Sequence, residues 1–246
     1  MKLLINNEFK KIYPNTILQD LNITHGIIKK KDFNSKKEII SSHTNKKFIL
    51  KKADFKDLFF NIKRGPQIIT YKDACFIAFQ LGLMKGFNVL DCGGGSGALT
   101  CVFANMVGSK GKVVSVEKNK KFYEIINENA KLFGFKNIKI INSDLNELKI
   151  KTRFDAINFD LPNPWDFAKK ANELLKNGSR LTVYVPNTTQ LSKSKTVFEQ
   201  NNFMLEHVFE LILREWNVNE LICRPKFNNL GHTGFIMCFR KLKGVK

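Results

Sequence analysis

Cysteine and histidine are too few and too scattered in this 246-residue chain to build a metal centre or a disulfide framework. The five cysteines (Cys75, Cys92, Cys101, Cys223 and Cys238) include no C-x-x-C pair, and an odd, dispersed set reads as free thiols in a reducing compartment. The four histidines are isolated, so no metal is expected. No apolar run approaches a membrane span, and the opening MKLLINNEFKK lacks the long apolar core of a secretion signal. The expected setting is therefore cytoplasmic, with no membrane partner. Neither an internal repeat nor a low-complexity tract is present. Acids are also short: 22 Asp and Glu stand against 41 Lys and Arg, a net charge of +19. One reading of that excess is a lysine-rich solvated surface. The other is a polyanionic partner, because lysines along a groove release counterions from phosphates. Charge alone does not separate RNA from DNA or a membrane surface.

The charge is unevenly spread. From Met1 to Arg64 there are 15 basic and 6 acidic residues, a local net of +9. Short alternating runs at Glu38–Ser42 and Lys47–Lys51, broken by Pro14, Gly26 and Asn-rich turns, predict a small basic β-rich domain over residues 1–62. From residue 63 to 246 the pattern changes to alternating strands and helices. Helices are predicted at 73–83, 96–107, 119–133, 165–175 and 188–201. Strands are predicted at 88–92, 112–116, 138–141, 156–159, 181–185, 205–213 and 234–239. Repeated βα units imply an α/β fold with a parallel sheet, helices on both faces and ligands beyond the carboxyl ends of the strands.

The sharpest motif is VLDCGGGSGALT at Val89–Thr100. Asp91, Gly93, Gly95 and Gly97 fit D-x-G-x-G-x-G, a strand feeding a tight loop and a helix. Glycines there turn the chain and let a ligand approach the main chain closely, while a helix start near Ser96 offers unpaired N–H groups. The loop should hold a nucleoside-bearing cofactor. It does not say which one, because Gly93, Gly95 and Ala98 also satisfy the dinucleotide pattern G-x-G-x-x-A. Three further acids shift the balance. Glu117, Asp144 and Asp160 follow the second, third and fourth predicted strands, and together with Asp91 they form the pattern of Rossmann-like methyltransferases that use S-adenosylmethionine. The closing pair of β runs resembles the hairpin that ends such a sheet.

Several segments resemble one family, the tRNA adenine N1-methyltransferases that act on the T-loop at adenine 58 and, in archaea, also at adenine 57. KRGPQIITYKDA at Lys63–Ala74 is similar to the signature preceding that family's sheet, and its KRGPQI form most resembles the archaeal branch. FDLPNPW at Phe159–Trp165, YVPNTTQ at Tyr184–Gln190, REWNV at Arg214–Val218 and RPKFNNLGHTGFI at Arg224–Ile236 resemble its later motifs. THGIIKKKDF at Thr24–Phe33 resembles the end of its small amino-terminal β domain. The resemblance runs from about residue 20 to residue 240. One departure is visible: the family's aromatic-Pro before Lys-Asp is replaced here by Thr70 and Tyr71.

The resemblance implies tRNA as partner, S-adenosylmethionine as cofactor and a homotetramer. It places Asp160 as the catalytic carboxylate, accepting from the exocyclic amine of the target adenine. Glu117 is expected on the cofactor ribose and Asp144 on its adenine amine. The backbone of Ser96, Gly97, Ala98 and Leu99 is expected on its carboxylate, and Gln67 over its methionine end. Asp91 and the loop glycines complete the cofactor set. Tyr71 and Trp165 are candidate stacking surfaces. Lys63, Arg64, Arg214 and Arg224 are candidate phosphate contacts, and His232 either braces its turn or lines the pocket. Three other readings stay open on the sequence: a non-catalytic tRNA-binding subunit, a methyltransferase for another target, and an NAD-dependent enzyme.

Overall fold

The computed structural model describes residues 1–65, 68–228 and 230–244. The chain forms two compact units, Met1–Ile62 and Lys63–Lys246. The first contains β1 (Lys2–Ile5), β2 (Lys10–Tyr13), the hairpin β3 (Leu21–Ile23) and β4 (Gly26–Ile28), the one-turn helix α1 (Lys30–Phe33), β5 (Ile39–Ser41), β6 (Lys47–Lys52) and α2 (Phe55–Phe59). Four of these strands make an antiparallel sheet in the order β2-β1-β6-β5. In β6, Phe48 and Leu50 face inward and their neighbours outward, the period of a half-buried strand. They pack with Leu4, Tyr13, Ile28, Phe33 and Ile40. Asp54 caps α2 through a reciprocal pair of bonds with Asp57.

The second unit opens with α3 (Tyr71–Gln80). Then follow β7 (Asn88–Cys92), α4 (Ala98–Val107), β8 (Lys112–Glu117), α5 (Lys120–Phe133), β9 (Ile138–Asn142) and β10 (Phe154–Phe159). A 3-10 turn (Pro164–Phe167) leads into α6 (Ala168–Leu174), β11 (Leu175–Val185), α7 (Thr188–Gln200) and β12 (Phe203–Glu210). The chain ends with β13 (Trp216–Val218), β14 (Cys223–Pro225) and β15 (Phe235–Lys241). Seven strands form one sheet in the order β12-β15-β11-β10-β7-β8-β9. Strands β9, β8, β7, β10 and β11 are parallel, and β15 runs antiparallel between β11 and β12. The Rossmann-like sheet implied by the sequence is present, closed by an antiparallel strand.

The order reverses at β7. The chain steps outward through β8 and β9, then returns to the other side of β7 with β10. Open α/β sheets bind ligands at such a switch point, beyond the carboxyl ends of the two central strands. Here those ends are Cys92 and Phe159, which lie opposite one another in the parallel register. The central strands are buried on both faces and mostly apolar at their carboxyl halves, with Asp91 and Asn158 as buried polar exceptions. Leu90, Ile157, Leu181, Val183, Phe198 and Phe239 are almost wholly buried between the sheet and its helices. Helix α5 stops where Gly134 adopts φ +74° and caps the last turn.

Several boundaries depart from the sequence expectation. The helix predicted at 165–175 is a 3-10 turn that opens on Pro164, followed by a short α-helix from Ala168 to Leu174. Strand β11 begins at Leu175, six residues before the predicted Leu181. The run predicted at 205–213 ends at Glu210, and the segment beyond it forms the unpredicted hairpin β13–β14. Among the described residues, no helix is long and apolar enough to cross a membrane, and no cluster of His, Cys, Asp or Glu is arranged to hold a metal.

Candidate active site

A cleft lies over the switch point, lined by Ile69, the Gly93–Ser96 loop, Ala98, Leu99 and Asp160. Its floor is set by two exchanges at the strand ends. The Asp160 N–H donates to the Cys92 carbonyl, and the Gly93 N–H donates to the Val116 carbonyl, both at 2.9 Å. These bonds draw the glycine loop against the end of β10 so closely that a Cβ on Gly93 would sit 1.9 Å from the Asp160 carbonyl oxygen. Gly93 also has φ +85°, a conformation that only glycine adopts without strain. Gly94 is excluded from carrying a side chain by Ser115 and Ile126, whose atoms would meet its Cβ at 2.4 and 2.6 Å.

Asp160 stands in this cleft without a side-chain hydrogen-bond partner among the described residues. Burial, reinforced by the nearby Asp91 and Glu117 carboxylates, pushes its pKa up to about 7. A carboxylate in that state gains strongly from any donor or cation entering the cleft.

Glu117 ends β8, and its carboxylate accepts from the Gly95 N–H at 2.9 Å and the Asn119 N–H at 2.8 Å. It thus ties the loop to the neighbouring strand. Asp144 lies two residues past the end of β9. The Asn146 N–H donates to it at 2.9 Å, Lys118 stands 3.5 Å away, and these partners hold its carboxyl below the usual range. Helix α4 begins at Ala98, two residues later than the sequence suggested, with Gly97 as its left-handed cap. Ser96 is fixed from behind by Asn129, which donates to the Ser96 carbonyl at 2.7 Å and to the Lys63 carbonyl at 2.9 Å. Residues 63–65 therefore run beside the loop, and a Cβ on Gly65 would lie 3.7 Å from the Ser96 nitrogen. Gln67 lies outside the described residues.

One expected cofactor residue is corrected. Asp91 does not reach the cleft. Its carboxylate is buried and accepts from Thr100 Oγ1 at 2.6 Å and Asn158 Nδ2 at 3.0 Å. Thr182 donates onward to Asn158, so the network crosses three strands beneath the loop. The physical reason is its place within the sheet: Asp91 is the penultimate residue of β7, 1% exposed, and its oxygens are taken by Thr100 on α4 and Asn158 on β10. Asp91 braces the loop from inside, and burial raises its pKa to about 6 despite those two donors.

The candidate RNA contacts divide. Tyr71, at the start of α3, is partly exposed, and its hydroxyl donates to Glu215 at 3.3 Å, beside Lys226. Lys63 pairs with Glu128 at 2.8 Å on the surface, a solvent-screened contact. Arg64 and Arg214 are exposed. The Arg224 guanidinium lies 4.0 Å from the Phe227 ring, with Nη1 buried and unpartnered among the described residues. Lys193 covers the Trp165 ring at 4.2 Å. His232 is a brace: its ring nitrogens meet Glu210 at 2.5 Å and the Pro186 carbonyl at 2.9 Å. Glu210 above all, and then Pro186, raise its pKa.

A buried polar cluster went unassigned in the sequence reading. Lys72 Nζ donates to Asp73, to the Leu211 carbonyl and to Thr233 Oγ1, at 2.8, 2.8 and 2.7 Å. Asp73 also accepts from Thr70 at 2.7 Å. Tyr184 joins through Thr233 and Asp73, and close approach of Gly234 to its ring leaves no room there for a Cβ. Gln190 donates to the Pro162 carbonyl at 2.9 Å and so fixes the loop after Asp160. The signal was available, since Lys72-Asp73, Tyr184 and Thr233 all fall inside the quoted motifs. What the sequence did not show was that these motifs meet.

Comparison with known proteins agrees with this geometry. The family model described as the tRNA methyltransferase complex GCD14 subunit matches residues 58–230. The tRNA (adenine(58)-N(1))-methyltransferase TrmI of Thermus thermophilus is 30% identical, over 83% of this chain and 81% of its own. The Methanocaldococcus jannaschii TrmI, named for adenines 57 and 58, is 29% identical over 97% and 94%. Among solved structures, a SAM-dependent O-methyltransferase from Thermotoga maritima superposes with a TM-score of 0.87 at 29% identity, covering 100% of this chain and 94% of that one. The tRNA (m1A58) methyltransferase TrmI of Aquifex aeolicus gives 0.81 at 28%, covering 98% and 96%.

Proposed function

The chain belongs to the family of the tRNA methyltransferase complex GCD14 subunit, and from that premise we infer that it methylates N1 of adenine 58 in the T-loop of tRNA, using S-adenosylmethionine. The observation that carries the reading is the pairing, in one cleft, of the glycine loop and a carboxylate, Asp160, whose side chain has no hydrogen-bond partner among the described residues. The glycine cradle, which side chains would fill, and the anionic wall fit a cationic nucleoside cofactor. When bound, S-adenosylmethionine supplies a methyl group activated by its sulfonium.

The protein's own part is orientation and electrostatics. Adenine N1 already carries a lone pair, so no strong base is needed to create the nucleophile. As N1 becomes bonded to carbon, the purine turns cationic and its exocyclic amine becomes a better donor. Asp160 accepts from that amine, orients the ring and stabilises the growing charge. Tyr184, held by Thr233 and Asp73, lies close enough to Asp160 to feel its charge. Glu117 receives the ribose hydroxyls on its remaining lone pairs, and Asp144 the adenine amine of the cofactor. Truncating Glu117 removes charged acceptors worth roughly 1.5–3 kcal/mol. Calorimetry on Glu117→Ala should therefore show S-adenosylhomocysteine binding weakened about 10- to 100-fold, whereas unchanged affinity would place the ribose elsewhere.

The Watson–Crick edge of the target must leave its T-loop contact to be reached, so the base is flipped out. Phosphate contacts from Arg64, Arg214 and Arg224 support that distorted state, in keeping with the +19 charge. The affinity for tRNA should fall steeply and log-linearly between 50 and 300 mM salt. A nearly flat salt response in filter binding would contradict a phosphate-dominated interface. A homotetramer completes the reading. It is supported by the apolar side chains left exposed over residues 212–230, with Val218 at 73%, Leu221 at 95% and Phe227 at 84%. An isolated two-stranded ribbon such as β13–β14 is marginal in water unless something covers it. Sedimentation of the purified chain as a monomer would remove this part. Incubation with unmodified tRNA, DNA and protein substrates, each with labelled cofactor, tests the target class directly.

A further inference from the structure

The chain has nearly two basic residues for every acidic one, yet among the described residues the charged side chain lining the cleft is a carboxylate, Asp160, with two more carboxylates close behind it. Asp160 faces it from the end of β10, Asp91 lies behind from β7, and Glu117 stands at the end of β8. Among the described residues, none of the three is within ion-pairing distance of a lysine, arginine or histidine. Two lysines of neighbouring segments are engaged elsewhere, Lys72 with Asp73 and Lys118 with Asp144. The remaining group facing Asp160 is Tyr184 on β11, whose hydroxyl is held by Thr233 and Asp73. The loop lining the cleft offers backbone, apolar atoms and the Ser96 side chain, none of them charged. Asp91 and Glu117 each have neutral donors on their oxygens, but such donors disperse charge without cancelling it.

We propose that Asp160, backed by Asp91 and Glu117, reads the charge of the cofactor, holding the sulfonium form and disfavouring the neutral thioether left after methyl transfer. The inference rests on the methyltransferase reading above. A carboxylate repelled by two others gains most when a cation enters beside it, and loses that gain when the cation becomes neutral. The same wall that orients the base thus distinguishes fresh cofactor from spent cofactor and favours release of the product.

The test is calorimetry on the full chain with S-adenosylmethionine and S-adenosylhomocysteine at pH 6 and pH 8, for the wild type and Asp160→Asn. The ratio of the two dissociation constants (homocysteine form over methionine form) should rise about tenfold from pH 6 to pH 8 in the wild type, one pKa unit of linkage. It should move by less than that in the variant, where only the ligands' own amino groups titrate. On the wild type alone, titrations at pH 7 in two buffers of different ionisation enthalpy should show more proton release with the sulfonium than with the thioether. The same slope in both proteins, or equal proton release for both ligands, would overturn the proposal. Failure of both ligands to bind the wild type at any pH would overturn the methyltransferase reading itself. Binding of both with a pH-independent ratio would overturn only this inference.

Discussion

Asp160→Asn should lower the methylation rate of tRNA by ~10²–10³-fold while S-adenosylhomocysteine and tRNA still bind, because the change removes charge and keeps shape. That magnitude is what loss of one preorganised electrostatic contact to the transition state costs. The loss should fall on kcat, since the exocyclic amine donates most strongly only as positive charge develops. The wild-type kcat/KM for S-adenosylmethionine should rise through pH 7 as Asp160 ionises in the free protein, where its pKa is raised to about 7, and then level off. The stability effect has the opposite sense. The folded chain keeps a proton on Asp160 that the unfolded chain has lost, so this residue's contribution falls as pH rises from its ordinary 3.8 to about 7. The asparagine variant should therefore melt higher than wild type at pH 8, with the gain shrinking as pH falls toward 4. Near-normal turnover in a single-turnover assay, or a variant that gains stability at low pH instead, would remove Asp160 from its assigned place.

Gly93→Ala should be the most damaging single methyl group in the chain. The added carbon would overlap the Asp160 carbonyl oxygen at 1.9 Å, and both partners are main chain, so no side-chain rotation relieves it. The loop or the end of β10 must move, and either shift separates the cradle from the carboxylate. The positive φ adds roughly 1–3 kcal/mol of backbone strain. We expect loss of measurable cofactor binding in calorimetry and a melting temperature lower by several degrees. Gly178→Ala is the matched control. Gly178 also has positive φ, at +78°, but nothing stands within 4 Å of its added Cβ, and it lies far along β11 from the cleft. That variant should lose stability through strain alone and keep cofactor affinity. Equal binding by both alanine variants would mean that the close approach at Gly93 is not what shapes the site.

The order in which features became legible follows the range of the forces behind them. The parallel sheet was readable because buried central strands such as residues 89–92 and 156–159 are mostly apolar, Asp91 and Asn158 being the exceptions. The glycine loop was readable because its close main-chain approach admits no other residue. Asp160 and Glu117 were readable as acids following strands. Asp91 was misplaced because spacing alone does not show that its carboxylate, inside the sheet, is taken up by Thr100 and Asn158. The hairpin after Glu210 was missed because its residues are exposed on both faces and carry no burial period. The cluster of Lys72, Asp73, Tyr184 and Thr233 was missed for a different reason. Its members lie up to 161 positions apart, and only the packing of β15 beside β11 brings them together.

The central claim is that Asp160 and the glycine turn serve one reaction on one nucleotide. Mass spectrometry of nucleosides and nuclease fragments, after unmodified tRNA is incubated with the protein and S-adenosylmethionine, tests it most directly. The account predicts 1-methyladenosine in the T-loop fragment carrying position 58, dependent on Asp160. Methylation at a different atom or nucleotide class, or none with tRNA while another substrate is labelled, would contradict it.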